Sequence, residues 1–195
     1  MIPTLPLRLR NRLAETILGA LHDPTARRQL ERLAAEPAAA KGWLEDAERE
    51  HESLLRSRAR CATEALAGRP LIAVDPLPDE ALTAAATLFD AGLHFEVHEL
   101  LEPHWVHAEG RRREALQGLI QIAVGYQHLA NGNLQGAQAL LAYGTQRLRA
   151  GRLSDLDLST FAAAVAATIP RLTENPPPPA PPFPRRSRAH CKTSS

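Results

Sequence analysis

Cysteine is almost missing from this chain, with only Cys61 and Cys191 in 195 residues. Two thiols, one of them in the expected tail, support neither a disulfide framework nor a thiolate metal site, and they fit a reducing cytoplasm. Aromatic residues are only 4% of the chain, and β-branched residues are few beside alanine and leucine. That balance argues against a sheet-built core and points to helices. No apolar run reaches the roughly 18 residues of a membrane span. The N-terminal IPTLPLRLRNRL lacks the apolar centre of a secretory signal. Neither sign of charge dominates. A formal charge of +1 gives no overall pull towards nucleic acid or an acidic membrane, so neither is expected as a partner. The local basic runs, Arg8/Arg10/Arg12 and Arg111 to Arg113, read as solvated helix ends. A Gly-rich phosphate loop, a Cys/His zinc knuckle and a serine-centred nucleophile turn are all missing.

What is present is the composition of a globular protein, 44% hydrophobic and 23% charged. The fold class expected is all-α: a compact antiparallel helical bundle of helix hairpins, tetratricopeptide-like in style, with an N-terminal helical extension and a disordered proline-rich tail. Residues 1–68 read as polar accessory helices. Asp23-Pro24 is a stop and restart, and a long charged helix follows from Trp43 to Leu66. Its apolar stripe includes His51 and Arg58, which predicts a weak core-former. Residues 79–170 read as the bundle: helices over 79–90, 94–108, 112–130, about 134–149 and 158–168, parted by Gly92, Gly110, Asn131-Gly132-Asn133 and Gly151. Short connections make neighbouring helices antiparallel. Residues 174–195 are rich in proline and arginine and read as disordered.

The chemistry concentrates in residues 88–107, LFDAGLHFEVHELLEPHWVH, which hold four of the eight histidines. His98, Glu102 and Trp105 are spaced by four and then three, so a helix stacks them on one face. At about 100° per residue, with His98 at zero, Glu102 falls near +40°, Trp105 near −20°, Phe95 near +60° and Leu101 near −60°. Glu96, Glu99, Pro103 and His107 gather on a separate arc, which reads as the solvent face. His98 and Glu102 are therefore expected to face the core as a polar pair. A buried ionisable group must find a partner, neutralise or bind an ion. In that setting Glu102→Ala is expected to cost on the order of 3 kcal/mol, and an apolar double replacement to recover much of it. On the following helix Glu114, Gln117, Gln121, Val124 and His128 form one stripe, beside a broad apolar face of Leu116, Leu119, Ile120, Ala123, Tyr126 and Ala130. The stripe reads either as the wet side of that helix or as a set of partners for His98 and Glu102.

LFDAGLHFEVHELLEPHW followed by ALQGLIQIAVGYQHLANGNLQGA resembles the bacterial and archaeal family known as domain of unknown function 309, over about residues 79–150. The family motif, histidine, three residues, glutamate, two residues, then tryptophan or tyrosine, lands on His98, Glu102 and Trp105. Phe89, Gly92, Phe95, Glu96, Glu99, Gln117, Gly118, Gln121, His128, Gly132 and Asn133 fall at the surrounding positions of the pattern. The resemblance implies an all-α bundle and a metal-binding role for the motif, and it brings no assigned activity. His94 departs from a position more often aromatic, and Pro103 stands inside the motif helix, where its missing N–H favours a kink.

Two functions follow. In the first, a pocket between helices holds a divalent metal or a small polar ligand. His98 and Glu102 bind it, Glu99 and His128 are additional ligands, and His94 is a third candidate imidazole. Phe95, Glu96, Trp105, Gln117 and Gln121 surround and orient them. A metal-bound water there would make hydrolysis the natural chemistry. In the second, the chain is a non-catalytic helical interaction module, and His98 and Glu102 are a structural buried pair. Self-association is open in both readings.

Overall fold

Prolines and short acids set the first helix boundaries in the computed structural model, which describes residues 4–76, 78–149, 151–153 and 156–185. Helix α1 (Leu7–Gly19) buries Leu9, Leu13 and Ile17, one residue per turn. Asp23 accepts a 2.7 Å bond from the Thr25 N–H, and Pro24 opens α2 (Pro24–Ala35), as the sequence predicts. The long helix expected from Trp43 onward is instead broken. Helix α3 (Pro37–Trp43) ends where Leu44 turns extended, and Glu45 and Glu48 form a reciprocal capping box. A 3₁₀ turn (Asp46–His51) then leads into α4 (Glu52–Leu66). Helix α4 buries Leu55, Ala59, Ala62 and Leu66 completely or nearly so, and is no weak core-former.

The central part is a run of helix hairpins: α5 (Pro78–Asp90), α6 (His94–Val106), α7 (Gly110–Ala130) and α8 (Leu134–Leu148). Gly92 and Gly132 take positive φ at the two tight corners, where side chains are disfavoured. Helix α6 continues through Pro103, which lies in its final turn. After α8, the pairs Arg152↔Asp157 and Leu153↔Leu156 form a two-residue antiparallel ladder, β1 (Arg152–Leu153) with β2 (Leu156–Asp157), which the sequence did not announce. Helix α9 (Ser159–Thr168) and a 3₁₀ turn (Ile169–Arg171) close the helical part. Among the described residues the fold is all-α apart from this ladder, and buried side chains from Leu5 to Phe183 form one hydrophobic cluster.

Of the segment expected to be disordered, residues 186–195 lie outside the described residues. Residues 174–185 form neither helix nor strand, in keeping with their prolines, but they are seated against α5 because Phe183 supplies an apolar anchor. Its ring joins Phe89 and Phe161, its N–H donates to Asp90 at 2.8 Å, and Arg185 pairs with the same aspartate.

Helices α7 and α8 pack closely because glycines face each other. A Cβ on Gly118 would meet Leu148, and one on Gly125 would meet Leu141, a reversal of order that marks antiparallel chains. A Cβ on Gly144 would lie 2.8 Å from the Gly118 carbonyl oxygen and 3.1 Å from the Ile122 nitrogen. Those are backbone atoms and cannot rotate aside. Gly144→Ala is therefore expected to lose about 2–3 kcal/mol in urea melts, despite alanine's better helix propensity. Gly42→Ala is the control, since nothing lies within 4 Å of its Cβ position. It should be neutral or stabilising by up to about 1 kcal/mol. A Gly144→Ala protein as stable as wild type would mean the two helices are not held this close.

Candidate metal centre

Helix α6 presents two different polar groups on two sides. On the outer side His98 Nδ1 stands 3.1 Å from a Glu99 oxygen, and His98 Nε2 stands 3.8 Å from a Glu102 oxygen. The expected core-facing pair is thus a surface pair. The His98 side chain is 27% exposed and that of Glu102 48%. The wheel was centred wrongly: Val97 and Leu101 are fully buried and His94 nearly so, which puts the core about 70° away from His98. An exposed i,i+4 pair contributes only about 0.3–0.5 kcal/mol, which replaces the larger loss expected for Glu102→Ala.

The buried polar groups of α6 are ones the wheel assigned elsewhere. Glu96, expected on the solvent arc, has a side chain only 1% exposed and bonds Arg58 of α4 at 3.3 Å. Burial raises its pKa, and Arg58 opposes that shift. A wheel drawn for one helix cannot register a second helix lying over it. His94 is sandwiched by aromatic rings, edge-on to Phe89 at 4.9 Å and stacked on Tyr126 at 5.5 Å. Burial, with Arg58 adding to it, lowers its pKa to about 4, and neither ring nitrogen has a partner among the described residues. Its neutral ring fills the place of an aromatic side chain and is not turned to the His98 group.

The remaining candidates are dispersed. His128 Nδ1 lies 2.9 Å from Asn133 Nδ2 in the α7–α8 corner. Glu114, on the same stripe, pairs with Arg147 of α8. That stripe therefore runs along the α8 side of α7. The Gln121 side-chain oxygen Oε1 is buried without a partner among the described residues, and Gln117 is half-buried. Phe95 lies 6.2 Å from the His98 ring and is covered by the Arg10 guanidinium at 4.0 Å. Trp105 is covered by Arg113 at 4.2 Å, and Arg113 also donates to the carbonyls of Trp105, Val106 and Ala108. Arg12 lies over Trp43 and bonds its carbonyl and Glu48. Arg10, Arg12 and Arg113 are thus packing residues, not merely solvated helix ends. Their spacing to scarce aromatics was a signal that could have shown this.

Among the described residues one group of metal-type donors remains together. Single donor atoms of His98, Glu99 and Glu102 all lie within 4.8 Å of one another. Residues 82–140 match the family model described as Domain of unknown function (DUF309). The DUF309 match runs from α5 to the middle of α8 and includes the whole of α6, slightly less than the 79–150 expected. No curated protein and no solved structure matches the chain. Arg58, which neutralises the buried Glu96, lies outside the DUF309 segment.

Proposed function

We propose that this helical protein binds a divalent cation at the outer face of α6, through His98, Glu99 and Glu102. The observation that carries this is the convergence of one imidazole and two carboxylates within 4.8 Å on consecutive turns of one helix. One nitrogen and two oxygens suit zinc, manganese or ferrous iron, whose remaining positions would be filled by water. Metal–ligand bonds near 2.0–2.2 Å require the three donors to draw closer. Their exposure leaves the side chains free to do so. Bound there, the ion would supply a Lewis acid open to solvent. His128 sits at the α7–α8 corner and is left out of the proposed ligand set, and the site belongs to one helix where a pocket between helices was expected. A cytoplasmic setting is part of the same proposal. It rests on the scarcity of cysteine, and no helix among the described residues is long and apolar enough to cross a membrane.

Titration of untagged protein with Zn²⁺ or Mn²⁺ by calorimetry should give one saturable site per chain. His98→Ala should abolish it, and Glu102→Gln should weaken it at least about tenfold, as loss of a ligand implies. Both variants should melt within about 0.5 kcal/mol of wild type, which separates lost ligation from lost fold. Equal stoichiometry in wild type and His98→Ala would end the proposal.

A further inference from the structure

A cleft of about 510 Å³ opens where the N-terminal helices meet α5, well within the range of small-molecule sites. Leu21, Leu66, Ile72 and Ala84 give it an apolar lining. Its outer wall is the connection after α4, which is tied down at two points. The Ile72 N–H donates to the Leu21 carbonyl at 2.9 Å, and Arg27 Nη1 donates to the Arg69 carbonyl at 2.7 Å. Arg27 Nε is engaged by the Ala20 carbonyl, yet its Nη2 is buried with no acceptor among the described residues. That nitrogen is sealed from the cleft, but Arg27 and Arg69 both line it, and guanidinium groups are the side chains best suited to hold a carboxylate. Arg69, held through Nε by the Ala65 carbonyl at 3.0 Å, brings a second guanidinium to the same cleft. Asp79 and Glu80 line the cleft from the first turn of α5, so a polyanion is disfavoured and a single negative end is admitted. The cleft also has length. Arg69, Asp79 and Thr83 are shared with an adjoining one of about 320 Å³ that continues past Leu82 and Leu156 to Pro184.

We propose that this cleft binds an amphipathic monocarboxylate of the fatty-acid type, with its carboxylate at Arg27 and Arg69 and its chain along the apolar lining. The site is separate from the cation site on α6, and its walls come partly from residues outside the DUF309 match.

Decanoate, kept below its micellar concentration, is the probe, with decanol and decylamine as the uncharged and cationic counterparts. Calorimetry should show saturable binding of decanoate to the full chain. Decanol and decylamine should bind at least about tenfold more weakly, the worth of one charge-assisted contact. Thr83 is exposed at the meeting of the two clefts, so Thr83→Phe fills the space without entering the core and should abolish binding. Arg69→Gln, also at an exposed position, should weaken decanoate about tenfold and leave decanol unchanged. Circular dichroism of both variants should equal wild type. Absent saturation with decanoate, undiminished binding in Thr83→Phe or Arg69→Gln, or decylamine binding as tightly as decanoate would each overturn the proposal.

Discussion

Arg58→Met should destabilise the protein by about 3–5 kcal/mol at neutral pH, the usual result of removing one partner from a buried ion pair. Glu96 has no second cation within bonding distance among the described residues, and one of its oxygens is already unpartnered. Without Arg58 the carboxylate must either stay charged in the core or take a proton at neutral pH. The second change, Glu96→Leu on the Arg58→Met background, should recover most of the loss, because two apolar side chains of similar volume need no partner. Urea melts of the three proteins test this. An Arg58→Met protein within about 0.5 kcal/mol of wild type would show that the pair does not hold α4 to α6. The loss should also shrink in acid, where Glu96 is neutral in any case.

His94→Phe should change how stability depends on pH. The folded imidazole titrates at about 4 against 6.5 when free. Above pH 6.5 the ring is neutral in both states and contributes no pH dependence. As pH falls from 6.5 to 4 the unfolded chain binds a proton that the folded chain refuses, so folding stability drops. Below 4 both states are protonated and the loss is complete, at about 3 kcal/mol by linkage. Glu96 acts with the opposite sign, since its raised pKa makes the folded state the better proton binder near and above its free value. Both proteins contain Glu96, so its effect largely cancels in their difference. The stability gap between His94→Phe and wild type should therefore widen by about 3 kcal/mol between pH 7 and pH 4. Parallel profiles would mean that His94 reaches water when protonated.

The helices of the bundle were legible because each carries its own punctuation: Asp23-Pro24, Gly92, Asn131-Gly132-Asn133 and Gly151 all lie where the chain turns. The break at Leu44-Glu45 was not legible, because the capping box there is made of two glutamates, ordinary residues for the surface of a helix. Periodicity placed the motif on a helix correctly but assigned the wrong inner side. Phe95 and Trp105 weight the wheel towards His98, yet an arginine lies over each ring, Arg10 or Arg113. Glu96 was misplaced for the reverse reason. What buries it is α4, 38 residues earlier at Arg58. Charge complementarity between distant helices leaves no trace in the spacing of either one.

The seating of Phe183 bears on the order in which the molecule can be completed. Chains are made from the N-terminus, and early segments begin to fold before late ones exist. Phe89 and Phe161 wait for a ring that is synthesised 94 residues after the first of them and 22 after the second. A released chain that ends before residue 183 would leave Phe89 and Phe161 without their third ring, an aromatic patch open to whatever is nearby.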